Sequence, residues 1–289
     1  MYIVHYYLFF TMRKHFISTD SSKIEALKKN ALTVRRNIIE MLVPHESHHI
    51  GCSLSIVDIL VVLYFDILAI DSHHADDRKR DIFILSKGHA GAALYATLAE
   101  RGFFDKKILQ SYDRNGGMLS EHVTTVVPGV ELSTGSLGHG LPVGVGHAIA
   151  ARNDGIDRII YVLISDGDLN EGSNWEAFMF AAHHFLSNLV VIVDSNKMQG
   201  YGEVKEVIDL EPVTKKLASF GWNTYEVDGH NHGELIAVFE KVKKNPVQKP
   251  HFILAHTIKG KGIPFFEGKF ESHYKSIDAS VQKEILRTL

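Results

Sequence analysis

Two apolar runs, I-I-Y-V-L-I at 159–164 and L-V-V-I-V-D at 189–194, constrain the fold of this chain more than any other feature. Each is short and rich in β-branched residues, the pattern of a strand buried on both faces. Between them Trp175, Phe178, Met179, Ala182, Phe185 and Leu186 recur at helical spacing. Ser173 and Glu176 stand as a capping box at the start of that helix. Strand, turn, helix and strand in succession make the two strands parallel. Parallel strands share one carboxyl edge, where open α/β sheets take their ligands. The runs end in S-D-G-D-L-N-E-G (165–172) and S-N-K-M-Q-G (195–200), which sets Asp166 and Asn196 at that edge.

Two hard oxygen donors on adjacent strand ends suit Mg²⁺, which keeps few protein ligands and completes its shell with water and phosphate oxygens. Gly167 lets a phosphate approach the backbone, and the following helix turns its positive dipole end toward it. Asp and Asn also cap turns without binding anything. A D-G pair after a strand is common; D-G, then 28 intervening residues and N, with a helix between, is far more specific.

Further strands are expected at Asp81–Leu85, Trp222–Val227 and His251–Ala255, and helices at Lys23–Leu42, Ile56–Leu68, Ala92–Glu100 and Pro142–Arg152. This alternation predicts one large α/β domain over 21–289, a mostly parallel sheet with helices on both faces, preceded by a tail at 1–20. A net charge of −3 gives no reason to expect nucleic acid or an anionic membrane as partner. The single Cys52 leaves no internal disulfide and fits a reducing cytoplasm. The first eleven residues are apolar but too short to span a membrane, and they lack the basic start of a signal peptide. Met12 offers an alternative start; a weak membrane or partner anchor is the competing reading.

Eighteen histidines invite a metal-site reading. The pairs His73-His74 and His183-His184 point neighbouring rings in different directions, so both read as structural. Other histidines fall inside words that resemble a known family. The spacing of Asp166, Gly167 and Asn196 resembles the thiamine-diphosphate signature, with Ser165 in the place of its first glycine. The words S-H-H-I-G-C-S-L-S (47–55), L-S-K-G-H-A (85–90), P-G-V-E-L-S-T-G-S-L-G-H-G (128–140), T-I-K-G-K-G (257–262) and E-S-H-Y-K (271–275) narrow the resemblance to the transketolases.

That resemblance implies a thiamine-diphosphate-binding fold, with thiamine diphosphate and Mg²⁺ as cofactors. It implies Asp166, Asn196 and the carbonyl of Met198 as metal ligands. His89, Gly135, Ser136, Leu137, Gly167, Asn196 and His273 would line the cofactor. His49, His122 and His273 would face the substrate, and Glu171 would lie between cofactor sites in the assembly. Such histidines supply hydrogen bonds and proton transfer near neutral pH. Three departures, His48, His139 and Tyr274, replace residues more usual in the family and bear on substrate choice.

The chain ends at Leu289, after the segment that closes the first transketolase module. The resemblance therefore implies the N-terminal subunit of a split enzyme, which transfers a two-carbon ketol unit from a ketose phosphate to an aldose. A separate C-terminal subunit would bring the pyrimidine-binding domain and its glutamate, giving a heterotetramer; the lone chain would expose an apolar surface around Gly135–Gly140. Other readings are a subunit of a 2-oxoacid dehydrogenase, a deoxyxylulose-phosphate synthase relative, and a non-catalytic scaffold. A nucleotide-binding Rossmann fold is a further one, but it lacks the expected G-x-G-x-x-G.

Overall fold

A computed structural model describes residues 20–42, 48–245, 247–274 and 279–289. The readings of residues 1–11 and Met12 fall outside them. The strands are β1 (Ile82–Leu85), β2 (Ile160–Ser165), β3 (Leu189–Ser195), the short hairpin β4 (Met198–Gln199) and β5 (Gly202–Glu203), β6 (Asn223–Asp228) and β7 (His251–His256). The helices are α1 (Ser21–Leu42), α2 (Ile50–Leu54), α3 (Val57–Val62), α4 (Gly91–Arg101), α5 (Gly140–Asn153) and α6 (Gly172–His183). They continue with α7 (Val204–Val207), α8 (Val213–Phe220), α9 (His232–Lys243) and α10 (Ala279–Thr288).

Five strands form one sheet in the order β1-β2-β3-β7-β6, every pairing parallel. Alternate side chains feed two cores, as the pleat requires. Phe83, Tyr161, Leu163, Ile192 and Ile253 pack with α1, α3, α4 and α9. Ile84, Val162, Val191, Phe252 and Leu254 pack on the other face with α5, α6 and α8. The three central strands are buried along their whole length, save His256 at the end of β7, which is why their sequences run largely apolar without alternation.

The connections through α5, α6 and α8 all cross the same face and step the chain outward from β1 to β6. The return through α9 crosses the opposite face and inserts β7 between β3 and β6. The chain leaving β3 thus joins one core, while the chain leaving β7 places Ile263 and Phe266 in the other. A crevice opens at such a divergence, at the carboxyl edge.

Three local expectations are corrected. The capping box at Ser173 and Glu176 does not form: α6 starts at Gly172, with Glu171 at its N-cap and no side-chain cap. Ser173 Oγ donates instead to Gly138 O at 2.7 Å, so a tertiary acceptor has taken the local donor. The helix expected over Ile56–Leu68 begins earlier and is broken into α2, α3 and a π-helical turn at Leu63–Ile67. The break falls at Ser55 and Ile56, where Ser55 Oγ lies within hydrogen-bond reach of Cys52 O and of Asp194 Oδ2. Finally, the Gly135–Gly140 loop presents Ser136 and His139 rather than an apolar surface; the exposed apolar residues include Val143, Met179, Phe180 and Phe185, on α5, on α6 and just past its end.

Candidate functional site

Asp166 follows β2 and Asn196 follows β3, and the register pairs Ser165 with Asp194, so both emerge together at the carboxyl edge. Asp166 Oδ2 accepts from Lys197 N at 2.7 Å, while Asn196 Oδ1 accepts from Met198 N at 3.0 Å. Both side chains are buried, and a cavity of about 420 Å³ opens beside Asp166, Ser195 and Lys197. Burial, helped by the charge of Asp194, pushes the Asp166 carboxyl up to about 7. No ion pair reaches it among the described residues. A buried carboxylate without a paired cation, beside an amide oxygen, is a donor set that fits Mg²⁺.

Asp194 and Asp168 hold this edge together. Asp194 is wholly buried and forms an ion pair with the buried Lys87 of the L-S-K-G-H-A word. Burial opposes the Asp194 charge, yet Lys87 and the hydroxyls of Thr257 and Ser55 hold its carboxyl below the usual range. Asn196 Nδ2 donates to Asp194 Oδ2 at 2.9 Å, which orients the amide. Asp168, also wholly buried, accepts from Ser86 Oγ at 2.8 Å and from Gly138 N and Ser165 N at 2.9 Å. One carboxylate thereby ties the ends of β1 and β2 to the Gly135–Gly140 loop.

That loop spans the site. A Cβ on Gly167 would lie 3.3 Å from Leu137 Cδ1, and one on Gly135 would come within 2.9 Å of His122 Cδ2. Gly135, Ser136 and Leu137 therefore run from the Asp166 end to the histidines. Glu171 stands apart: it is exposed at the N-cap of α6, against Gly138.

The four histidines form one cluster centred on His49. Its ring centroid lies 4.8 Å from that of His273, 5.0 Å from His89 and 6.1 Å from His122. His49 adopts a left-handed φ of 63° and donates its backbone N–H to His273 O at 2.9 Å, which holds the two segments together. Its Nδ1 is buried without a hydrogen-bond partner. Burial pushes the imidazolium of His89 down. His48 is exposed, and its Nδ1 stands 3.8 Å from Glu121 Oε1 at the rim. The division into cofactor-side and substrate-side rings is not drawn by these distances, since His49 adjoins all three others. His139 is exposed, and Tyr274 Oη donates to Gly200 O at 2.6 Å.

Beneath the cluster lie two residues the sequence reading did not assign to it. Lys259 Nζ stands 2.9 Å from His273 Nδ1 and 3.4 Å from Cys52 Sγ. Burial works against a Cys52 thiolate, yet the charges of Lys259 and His89 hold the thiol well below its usual value. The donor atoms of His49, Cys52 and His273 lie within 4.8 Å of one another, close enough for a thiophilic metal. The Lys259 ammonium already stands beside two of them, so it supplies the positive charge there. Lys87, Asp194 and Lys259 share a signal that could have found them: each is a charged residue inside a largely apolar or glycine-rich word, where burial demands a partner; Asp168, in an acidic word, carries no such signal.

The fold is the thiamine-diphosphate-binding α/β fold. More particularly, residues 27–288 match the family described as transketolase, thiamine diphosphate binding domain, and the chain belongs to it. It is 43% identical over 253 residues to an apulose-4-phosphate transketolase subunit from Actinobacillus succinogenes, covering 87% of this chain and 91% of that protein. It is 40% identical over 266 residues to 6-deoxy-6-sulfo-D-fructose transketolase subunit SqwG of Clostridium sp., covering 91% and 96%. The transketolase structure from Campylobacter jejuni superposes with a TM-score of 0.83 at 31% identity over 91% of this chain. The chain spans only 43% of that longer protein, and likewise 43% of human transketolase.

Proposed function

We propose that this chain is the diphosphate-binding subunit of a transketolase, which uses thiamine diphosphate and Mg²⁺ to move a two-carbon ketol unit from a ketose phosphate to an aldose. The observation that carries the reading is the meeting, at one sheet edge, of the Asp166–Asn196 oxygen pair with the cluster of His49, His89, His122 and His273. Relatives of nearly the same length are named as subunits, which supports a partner chain. Their names also point to less common ketoses with an anionic end group as the donor class.

In this reading Asp166, Asn196 and the Met198 carbonyl hold the metal, and the Gly135–Leu137 loop with Gly167 lies along the diphosphate. When bound, thiamine diphosphate supplies the carbanion stabilisation that side chains cannot. His49 and His122 hydrogen-bond the transferred hydroxyls and exchange protons with them. The partner brings the pyrimidine-binding domain, two copies of each chain assemble, and the enzyme works in the cytoplasm. The test is to mix the purified chain with such a partner and assay ketol transfer against 2-oxoacid decarboxylation. Ketol transfer by the mixture alone is expected; decarboxylation, or full activity of this chain without a partner, rejects the reading.

A further inference from the structure

We propose that Lys259 is a positioning residue that fixes the tautomer of His273. An ammonium can only donate, so at 2.9 Å it makes His273 Nδ1 the acceptor and leaves the ring hydrogen on Nε2. The Nε2 edge faces the loop after β3: a Cβ on Gly200 would lie 3.5 Å from it. His273 therefore presents an N–H toward the loop that carries Asn196 and Met198.

The chain around Lys259 is built to seat it. Gly260 and Gly262 take φ values of +79° and +90°, where side chains are strained. A Cβ on Gly260 would lie 2.4 Å from Phe266 O, and one on Gly262 would lie 2.6 Å from Arg35 Nε. On either side of Lys259 the backbone is clamped: Ile258 N donates to His230 Nε2 at 2.8 Å, and Lys261 O accepts from Arg35 Nε at 3.0 Å. Arg35 and His230 in turn share the buried carboxylate of Asp58. The lysine stem lies against α2, where a Cβ on Gly51 would be 3.0 Å from Lys259 Cγ. A side chain held to 1% exposure by three separate segments returns to one place, and that place is His273 Nδ1.

The tautomer is read directly on the full chain, without partner or substrate, from long-range ¹H–¹⁵N spectra of histidine-labelled protein, with His273→Asn assigning the ring. The wild type is expected to show Nε2 protonated. Cys52 is the rival partner, with Sγ 3.4 Å from the same nitrogen: as a thiolate it would take a hydrogen from Nδ1 and impose the other tautomer. Cys52→Ala alone should therefore leave the pattern unchanged, and Cys52→Ala with Lys259→Met should lose it. Protonated Nδ1 in the wild type, a change with Cys52→Ala alone, or an unchanged double variant each overturns the proposal; the first two need no replacement of Lys259. The consequence for turnover rests on the proposed transketolase reading. With the partner, Lys259→Met should lower kcat roughly ten- to a hundredfold, keep thiamine-diphosphate retention, and add nothing in a His273→Asn background. Additive losses in that background would mean a merely structural lysine. Failure of ketol transfer with an intact tautomer result would count against the function and not against the positioning.

Discussion

Asp166 is a carboxylate taken out of water beside another, Asp194, whose charge Lys87 already balances. A divalent cation would relieve that cost, so Asp166→Ala should abolish retention of thiamine diphosphate at low Mg²⁺ while the melting curve survives. Full cofactor occupancy in that variant would place the metal elsewhere. The histidines separate by a different measurement. His49→Ala should lower turnover or raise KM with little change in cofactor affinity, whereas His89→Ala should weaken the cofactor. Equal losses of cofactor affinity would reject the division. At this scale the donors at the strand ends were legible, because a strand's end announces where its next side chain goes. Their keepers were not: Asp194 and Asp168 act through partners such as Lys87, Ser55, Ser86 and Gly138, far away in sequence.

At the level of elements, two buried groups make opposite demands on pH. His251, at the start of β7, is pushed down to about 4 by burial, so it stays neutral in the fold while the unfolded chain protonates near pH 6.5. The unfolded state then binds the extra proton, and stability should fall as pH drops from about 6.5 toward 4, by ~2–3 kcal/mol in all. Urea unfolding across that range checks it, and His251→Phe should flatten the curve. Asp58 runs the other way. Burial penalises its charge, but His230, His232 and Arg35 hold it well below the usual range. Its contribution is therefore present above about pH 4 and lost as pH falls further. Asp58→Ala strands Arg35 and should cost about 3–5 kcal/mol, read as a drop in the denaturation midpoint. The five strands of the main sheet were readable within a residue or two, most plainly the central ones, whose burial leaves continuous apolar runs; the short β4–β5 hairpin was not. Capping and helix continuity were not readable, because Ser173 and Ser55 spend their hydroxyls on Gly138 and Asp194, contacts that no local window contains.

For the whole molecule, the order of the sheet was decided by which face each connecting helix covers, and that lies beyond a strand-by-strand reading. The apolar residues that recur at helical spacing along α6 and just past its end are only partly buried. Phe178 and Leu186 are wholly covered, while Met179 and Phe185 are 51% and 61% exposed. Apolar side chains left in water on a helix favour association. Phe180→Asp with Phe185→Asp should weaken assembly with the partner or with a second copy while leaving the isolated chain folded, as sedimentation and circular dichroism would show. Unchanged assembly would move the interface to another face. The lone chain should bind thiamine diphosphate weakly, and titration calorimetry with and without the partner measures the difference.

Because the sequence holds one cysteine and the fold buries it between Lys259 and the histidines, every thiol signal from this protein comes from a single address. An alkylating reagent can reach Cys52 only when its surroundings open, so its rate clocks the breathing of that corner. The chain thus carries its own stopwatch, needing no engineered label, with which to ask how tightly each successive guest closes the door behind it.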